Sequence, residues 1–300
     1  MTTAWRHVEF DGTTPPWTLR EVAGRGLCAF ATRSFAAGEL ICTERPTVWV
    51  LGHHPFSSEQ VVEIDVRVER LDAADRAALL DMCNAFPEAP SAAAGIFQTN
   101  SFDMTDSPHG QACAMYCALA RLNHSCVPNA QQTHLPDTGE EVLHASRAIS
   151  AGEEINDCYI ELRQGTEQRR AALRETYRFE CHCAACGTGE KDEEEEERRL
   201  DDARRERAAL LDDAILTAAT EQSPAAALEL AFEAVRLLAS PACAPWSARY
   251  LPDAYCTIHQ LASVVGLRDL AREHIALAYR INCQLQGPRA PVSLSLREKL

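Results

Sequence analysis

Three cysteines within six residues constrain this 300-residue chain more than any other feature of its sequence. Cys181, Cys183 and Cys186 can bind one tetrahedral metal ion, with metal–sulfur distances of about 2.3 Å, if the backbone turns tightly around it. Gly187 follows directly and permits such a turn. A structural zinc ion needs a fourth ligand, for which the sequence offers His182 or a distant cysteine such as Cys126. Ordinary buried thiols are the alternative, but three cysteines at this spacing favour a metal site.

The overall composition excludes several classes of protein. Asp and Glu outnumber Lys and Arg by 44 to 29, a net charge of −15. Because nucleic-acid affinity depends on basic side chains, we expect no direct nucleic-acid binding. The sequence contains no apolar run of about eighteen residues and begins without a secretory signal, so we expect an intracellular protein, in the cytoplasm or nucleus, with no membrane partner. Thirteen cysteines, about 4% of the chain, are too few for a disulfide scaffold.

The hydrophobic pattern changes near residue 190. Before it, short β-like runs such as Trp17–Val22 and Ile96–Phe102 flank a helical pattern over Leu71–Asn84. Asp192–Glu197 are six consecutive acids, which we interpret as a solvated linker rather than the start of a helix, because like charges repel. Beyond the acids, apolar residues recur at helical spacing in three stripes. With a further helix over Asp201–Ala219, these stripes predict about four antiparallel helices.

Three blocks of the sequence combine polar, aromatic and cysteine residues in an unusual way. Residues 123–129 read Asn-His-Ser-Cys-Val-Pro-Asn, residues 151–160 read Ala-Gly-Glu-Glu-Ile-Asn-Asp-Cys-Tyr-Ile, and residues 177–186 end in the three cysteines. In this order the blocks resemble the SET-domain protein methyltransferases, in particular the SET-and-MYND (SMYD) branch and its fungal relatives. The resemblance extends over residues 17–187, where Gly24-Arg25-Gly26-Leu27 matches the opening hairpin and Asn100-Ser101-Phe102 matches an Asn-x-Phe segment.

The resemblance implies an α+β fold class. A SET domain of small antiparallel sheets would occupy residues 17–165, with a helical insertion at about 51–95. A post-SET zinc-binding segment would follow at 166–190, then the acidic linker at 191–199 and an all-α, tetratricopeptide-like helical domain at 200–300. The segment after Pro46, where the MYND zinc finger would be inserted, contains only Cys83 before residue 100. We therefore expect that module to be absent.

The activity that the resemblance implies is S-adenosylmethionine-dependent protein-lysine N-methylation, on a histone or non-histone protein. Since the sulfonium already activates the methyl group, the protein must position and desolvate the reactants. Tyr159 would be the catalytic residue, orienting the lysine amine and stabilising the sulfonium without accepting the proton. Tyr177 would form one wall of the lysine channel. The partner would be a protein with an exposed lysine, a basic tail among the candidates, and we expect the enzyme to be a monomer.

The family's binding residues carry over position by position. Backbone of the Gly-rich turn, two asparagines, a histidine and a phenylalanine would bind the cofactor: Ala23, Gly24, Arg25, Gly26, Asn100, Asn123, His124 and Phe179. The family also makes Cys126 the fourth ligand of one structural zinc, so that the metal ligands would be Cys126, Cys181, Cys183 and Cys186.

Two other functions are compatible with these motifs. One is a catalytically degenerate SET scaffold that binds partners through its helical C-terminal domain, and the other is a zinc-dependent adaptor without a cofactor. The retention of the Gly-rich turn, of Asn100, and of Tyr159 favours the enzyme, because a scaffold needs none of them.

Overall fold

The computed structural model describes residues 5–52, 56–104, 110–187 and 192–300, with side chains in the last range described from Glu195 onwards. Two compact units are present. The N-terminal unit comprises Met1–Asn123 and Ala130–Asn156, and the C-terminal unit comprises His124–Asn129 and Asp157–Leu300. The segment at 166–187 groups with the C-terminal helices, and the domain boundaries drawn from the sequence stay predictions.

The strands form small antiparallel sheets, as predicted. One sheet has four strands in the order β1-β4-β10-β9, another has three in the order β5-β7-β6, and β2 pairs with β3 as a hairpin. A last sheet is a two-stranded pair of β8 with β11. The strands are β1 (Val8–Glu9), β2 (Trp17–Val22), β3 (Gly26–Ala31), β4 (Leu40–Glu44), β5 (Val48–Leu51), β6 (Phe102–Met104), β7 (Ala112–Met115), β8 (Asn123–His124), β9 (Ala130–Leu135), β10 (Glu140–Ala145) and β11 (Asn156–Asp157).

Three helices lie between β5 and β6, where the sequence predicts a helical insertion. They are α1 (Ser58–Glu69), α2 (Ala73–Leu80) and α3 (Ala92–Asn100). Each begins at a capping side chain, Ser57, Asp72 or Ser91, that accepts a hydrogen bond from an otherwise unpaired backbone amide.

The β-like run predicted at Ile96–Phe102 is wrong for most of its length, since α3 continues to Asn100 and β6 begins at Phe102. The reason is local. Ser91 caps the helix, the first three helical residues are alanines, and the apolar residues Ile96 and Phe97 are buried by the helix face instead of alternating along a strand.

The C-terminal unit is helical beyond residue 165. Its four longest helices after residue 190 match the predicted number, and two short helices and a helix preceding the cysteine cluster add to them. The helices are α4 (Thr166–Tyr177), α5 (Asp192–Thr220), α6 (Pro224–Leu238), α7 (Ala244–Ser247), α8 (Leu251–Val264), α9 (Arg268–Gln286) and α10 (Pro291–Arg297). Among the described residues, no helix has the length and apolarity that crossing a membrane requires.

The acidic linker predicted at 191–199 is not observed, because α5 begins at Asp192 and runs for 29 residues. Acidic residues in the first turns of a helix interact favourably with the partial positive charge of its N-terminus. An ion pair one turn apart, with 2.8 Å between Glu196 and Arg199, adds to this. Further along, Ala208 and Leu211 are buried, so packing of the later turns stabilises the whole helix.

Candidate functional site

Four cysteines of the C-terminal unit bring their sulfur atoms together. The Sγ atoms of Cys126, Cys181, Cys183 and Cys186 all lie within 4.8 Å of one another. Cys126 Sγ and Cys186 Sγ are 3.6 Å apart, close to the sulfur–sulfur distance of about 3.8 Å in a tetrahedron with metal–sulfur bonds of 2.3 Å. His182, the other sequence candidate for the fourth ligand, is exposed and lies outside the cluster. The donor set therefore fits one zinc ion bound by four thiolates.

A tight turn shapes the cysteine-rich segment. The backbone amides of Cys186 and Gly187 both donate to the carbonyl of Cys183 over 3.0 Å, and Gly187 has a φ of +65°, which glycine adopts without strain. The amide of Cys126 donates to Cys183 Sγ over 3.4 Å. Such a bond favours an ionised sulfur, which is the form that binds zinc.

Two arginines that are 0% exposed lie beside the cysteine cluster. Arg205 of α5 donates to the carbonyls of Cys126 and Leu162, over 3.1 and 2.9 Å. Burial alone would lower the pKa of Arg169 in α4, but the sulfurs of Cys126 and Cys186 raise it above its usual value. Because four thiolates and one Zn²⁺ carry a net charge of −2, buried guanidinium groups compensate part of that charge.

His124 contacts both the cluster and Tyr159. The backbone N–H of Tyr159 donates to His124 Nδ1 over 3.0 Å, so Nδ1 carries no proton and the neutral ring has its proton on Nε2. Nε2 then donates to Cys126 Sγ over 3.3 Å. Burial lowers the pKa of His124 to about 4, which keeps the ring neutral.

Aromatic rings surround this histidine. The centroid of the Tyr159 ring lies 5.0 Å from that of Tyr177 and 5.4 Å from that of His124, and the Phe179 ring lies 6.4 Å from His124. Tyr159, Tyr177 and Phe179 are half-buried. Tyr159 and Tyr177, placed together at the lysine channel by the sequence resemblance, are therefore neighbours in the structure.

The remaining cofactor candidates lie in the N-terminal unit. Ala23, Gly24 and Arg25 form the exposed turn between β2 and β3, and the exposed Gly26 is the first residue of β3. Gly24 and Gly26 have φ values of +74° and +68°, and a Cβ added to either would meet no atom within 4 Å. The turn therefore leaves open space beside its backbone, as a site for a ligand requires.

Three polar side chains assigned to the cofactor make hydrogen bonds within the protein. Asn123 Nδ2 donates to the carbonyl of Leu27 over 2.9 Å, and Asn100 Nδ2 donates to the carbonyls of Cys83 and Ile96, both over 2.7 Å. Both ring nitrogens of His124 are engaged as described above. Contact between His124 and a cofactor would therefore use its backbone, and the cofactor roles of all three residues stay predictions.

Arg169 and Arg205 are site residues that the sequence reasoning missed. Arg205 lies three residues before Ala208 and six before Leu211, on the buried face of α5. Arg169 lies four residues before the buried Leu173 of α4. An arginine in line with apolar residues at helical spacing is a sequence signal for a buried cation.

Comparison with known proteins adds the decisive observation. Residues 26–160, a little under half of the chain, match the family model described as "SET domain". The chain's small antiparallel sheets and helical C-terminal region confirm the α+β fold class predicted for a SMYD-like SET protein.

The relatives of this SET-domain chain are named as lysine methyltransferases. It is 27% identical over 170 residues to "Histone-lysine N-methyltransferase set5" of Schizosaccharomyces pombe, covering 57% of this chain and 50% of that protein. It is 38% identical over 98 residues to "Histone-lysine N-methyltransferase SMYD3" of Mus musculus, covering 31% and 22%. It is 29% identical over 198 residues to "N-lysine methyltransferase SMYD2" of Gallus gallus, covering 59% and 44%. The chain thus matches half or less of the length of each of these relatives.

A crystal structure of the SET domain of LSMT bound to lysine and AdoHcy is also similar, over 96% of this chain and 85% of that one. Its TM-score of 0.34 and identity of 12% are too low to inform the fold or the ligands of this SET domain.

Proposed function

We propose that this chain is an S-adenosylmethionine-dependent protein-lysine N-methyltransferase. The observation that carries the proposal is the packing of Tyr159 against Tyr177, with ring centroids 5.0 Å apart. The pair lies beside a cluster of four cysteines, in a chain whose residues 26–160 match a SET domain. The names of its relatives, which are histone-lysine and N-lysine methyltransferases, support the same activity.

The chemistry explains why two tyrosines suit this position. S-adenosylmethionine, when bound, supplies a methyl group on a positively charged sulfur. A lysine amine attacks only in its neutral form, although its unperturbed pKa is about 10.4. The half-buried rings of Tyr159 and Tyr177 exclude water from the amine and so favour the neutral form. The Tyr159 hydroxyl would orient the neutral amine, which has lost its proton to solvent, for in-line attack. The bond from nitrogen to the methyl carbon would form as the bond from sulfur to that carbon breaks, and S-adenosylhomocysteine would be the leaving group.

The residues proposed to bind the cofactor are those that the family resemblance assigns to it. The open space beside Gly24 and Gly26 suits close approach of a ligand to the backbone. Asn123 and the backbone of His124 are also assigned to the cofactor. The half-buried ring of Phe179 would pack against its adenine. The structural zinc would hold the loop that carries Phe179, so its loss would remove this contact as well as local order.

The substrate is proposed to be a protein with an exposed lysine in a basic segment. The net charge of −15 favours basic partners over acidic ones. We also propose that the enzyme acts inside the cell, because four thiols that bind a metal must be kept reduced.

Transfer of a labelled methyl group to the proteins of a cell extract tests this function. Tyr159→Phe should retain the fold and cofactor binding and lose at least about tenfold in transfer rate, since a hydrogen bond at the reacting centre is removed. Tyr279→Phe, in α9 and outside the aromatic group, is the matched control and should transfer at the wild-type rate. A Tyr159→Phe variant as active as the control would remove Tyr159 from catalysis. An unlabelled extract with the wild-type protein would refute the proposed function.

A further inference from the structure

One imidazole ring connects the cysteine cluster with the backbone of Tyr159. His124 is 5% exposed, and its ring bonds at one end to Cys126 Sγ over 3.3 Å and at the other to the amide of Tyr159 over 3.0 Å. Methyl transfer as derived above uses neither bond. The ring is planar and rigid, so the separation of its two nitrogens is fixed and a displacement at one end is transmitted to the other.

A zinc ion bound to Cys126 would strengthen the hydrogen bond from His124 Nε2 to the sulfur of this cysteine. A zinc-bound thiolate has a fixed position and accepts a hydrogen bond more strongly than a neutral thiol does. When zinc binds Cys126, the sulfur therefore fixes the direction of Nε2, and with it the direction of the Nδ1 lone pair. That lone pair holds the amide of Tyr159, whose side chain starts at the next atom of the backbone.

A backbone hydrogen bond also connects these two segments. The amide of Ser125 donates to the carbonyl of Asp157 over 2.8 Å. This bond does not involve the side chain of His124, and it persists whichever residue stands at 124. The ring joins the sulfur of Cys126 to the amide of Tyr159 itself.

We propose, on the basis of the proposed function, that His124 is a positioning residue through which the zinc site sets the position of Tyr159. Zinc would then act on the reaction at a distance, by orienting the tyrosine that orients the lysine amine. The rate of methyl transfer would then depend on whether zinc is bound. This dependence would require both ring nitrogens of His124.

Amide hydrogen exchange at Tyr159 tests the coupling without requiring activity. Removal of zinc from the wild-type protein by a chelator should speed exchange of this amide by at least about tenfold, because its acceptor is no longer fixed. His124→Asn places an acceptor near the position of Nδ1 but cannot reach Cys126. In this variant zinc removal should change the exchange rate by less than about threefold.

Ser125→Ala is the matched control in the same segment. The Ser125 hydroxyl accepts from the amide of Val127 over 3.1 Å, a bond that does not involve Tyr159, so this variant should respond to zinc as the wild type does. His124→Phe keeps the ring but loses both nitrogens, and its Tyr159 amide should exchange fast even with zinc bound. Absorption of Co²⁺ substituted for zinc verifies the four-sulfur site in each variant.

Three results would overturn the proposal: no response of the Tyr159 amide to zinc in the wild type, an equal response in His124→Asn, or wild-type protection in zinc-bound His124→Phe.

In the methylation assay, His124→Asn should lower kcat and leave the cofactor Kd unchanged, since it misplaces Tyr159 and removes no binding group. A wild-type protein that transfers no methyl group would refute the proposed function but would leave the exchange comparison valid. The two failures are therefore distinguishable.

Discussion

Replacing Arg205 with methionine should destabilise the C-terminal unit, because this arginine links α5 to the cysteine cluster from a buried position. Its guanidinium donates to the carbonyls of Cys126 and Leu162 and pairs with Asp201 over 2.6 Å. The group also lies 4.7 Å from the centre of the Trp246 ring. Methionine retains much of the apolar stem and removes all of the donors, so the effect reports the polar contacts.

The size of this destabilisation depends on how deeply Arg205 and its partner Asp201 are buried. Breaking a fully buried ion pair by removing one partner costs about 3 to 5 kcal/mol. The side chain of Arg205 is 0% exposed, but that of Asp201 is 20% exposed and keeps a hydrogen bond from Trp246 over 3.0 Å. We therefore expect the lower end, a loss of about 3 kcal/mol in the free energy of unfolding. For a unit of this size that corresponds to a fall in Tm of roughly 6 to 12 °C.

Thermal unfolding of the zinc-loaded protein, followed by its helical circular-dichroism signal, measures this loss. Arg207→Met is the matched control, because Arg207 lies on the same helix in an ion pair with Glu233 whose side chains are 51% and 41% exposed. An exposed pair of this kind contributes less than about 1 kcal/mol. If Arg205→Met unfolds within a degree or so of Arg207→Met, the polar contacts of the buried arginine do not stabilise the C-terminal unit.

Two further variants test the metal site and a buried carboxyl. Cys183→Ser should reduce bound zinc from one equivalent to none by metal analysis, whereas Cys256→Ser, outside the cluster, should retain it; equal zinc in both would exclude Cys183 as a ligand. Glu44 is 1% exposed and accepts the amides of Ala118 and Leu119, and burial raises its pKa from 4.5 to about 8. Because the folded pKa exceeds the unfolded one, the stability that proton binding provides is fully present below pH 4.5 and is lost as the pH rises towards about 8. Glu44→Gln should therefore show a smaller fall in Tm between about pH 5 and 8 than the wild type, and parallel profiles would contradict the assignment.

The metal site was predictable from the sequence because its signal is local. Cys181, Cys183 and Cys186 are close in the chain, so their spacing alone indicates a shared ion. The fourth ligand, Cys126, lies 55 residues before them and came from the family resemblance, since spacing left His182 as an alternative. The choice between Cys126 and His182 required coordinates, which place the Cys126 sulfur with the other three.

Other features depend on contacts that no local pattern encodes. The acids at 192–197 repel one another as a segment, yet they are helical because the later turns of α5 pack against neighbours. Both ring nitrogens of His124 are used within the protein, which a motif that names the residue does not reveal. Arg205 likewise satisfies its buried guanidinium with the carbonyls of Cys126 and Leu162, which are distant from it in the sequence.

Binding of S-adenosylmethionine separates an enzyme from a SET scaffold more directly than any other property. Isothermal titration of the zinc-loaded chain with this cofactor, and with S-adenosylhomocysteine as the product, measures it without knowledge of the substrate protein. If the chain is a methyltransferase, we expect saturable binding of one equivalent of each ligand per chain. No heat of binding with either ligand, in a preparation whose zinc content and helical signal are intact, would contradict it.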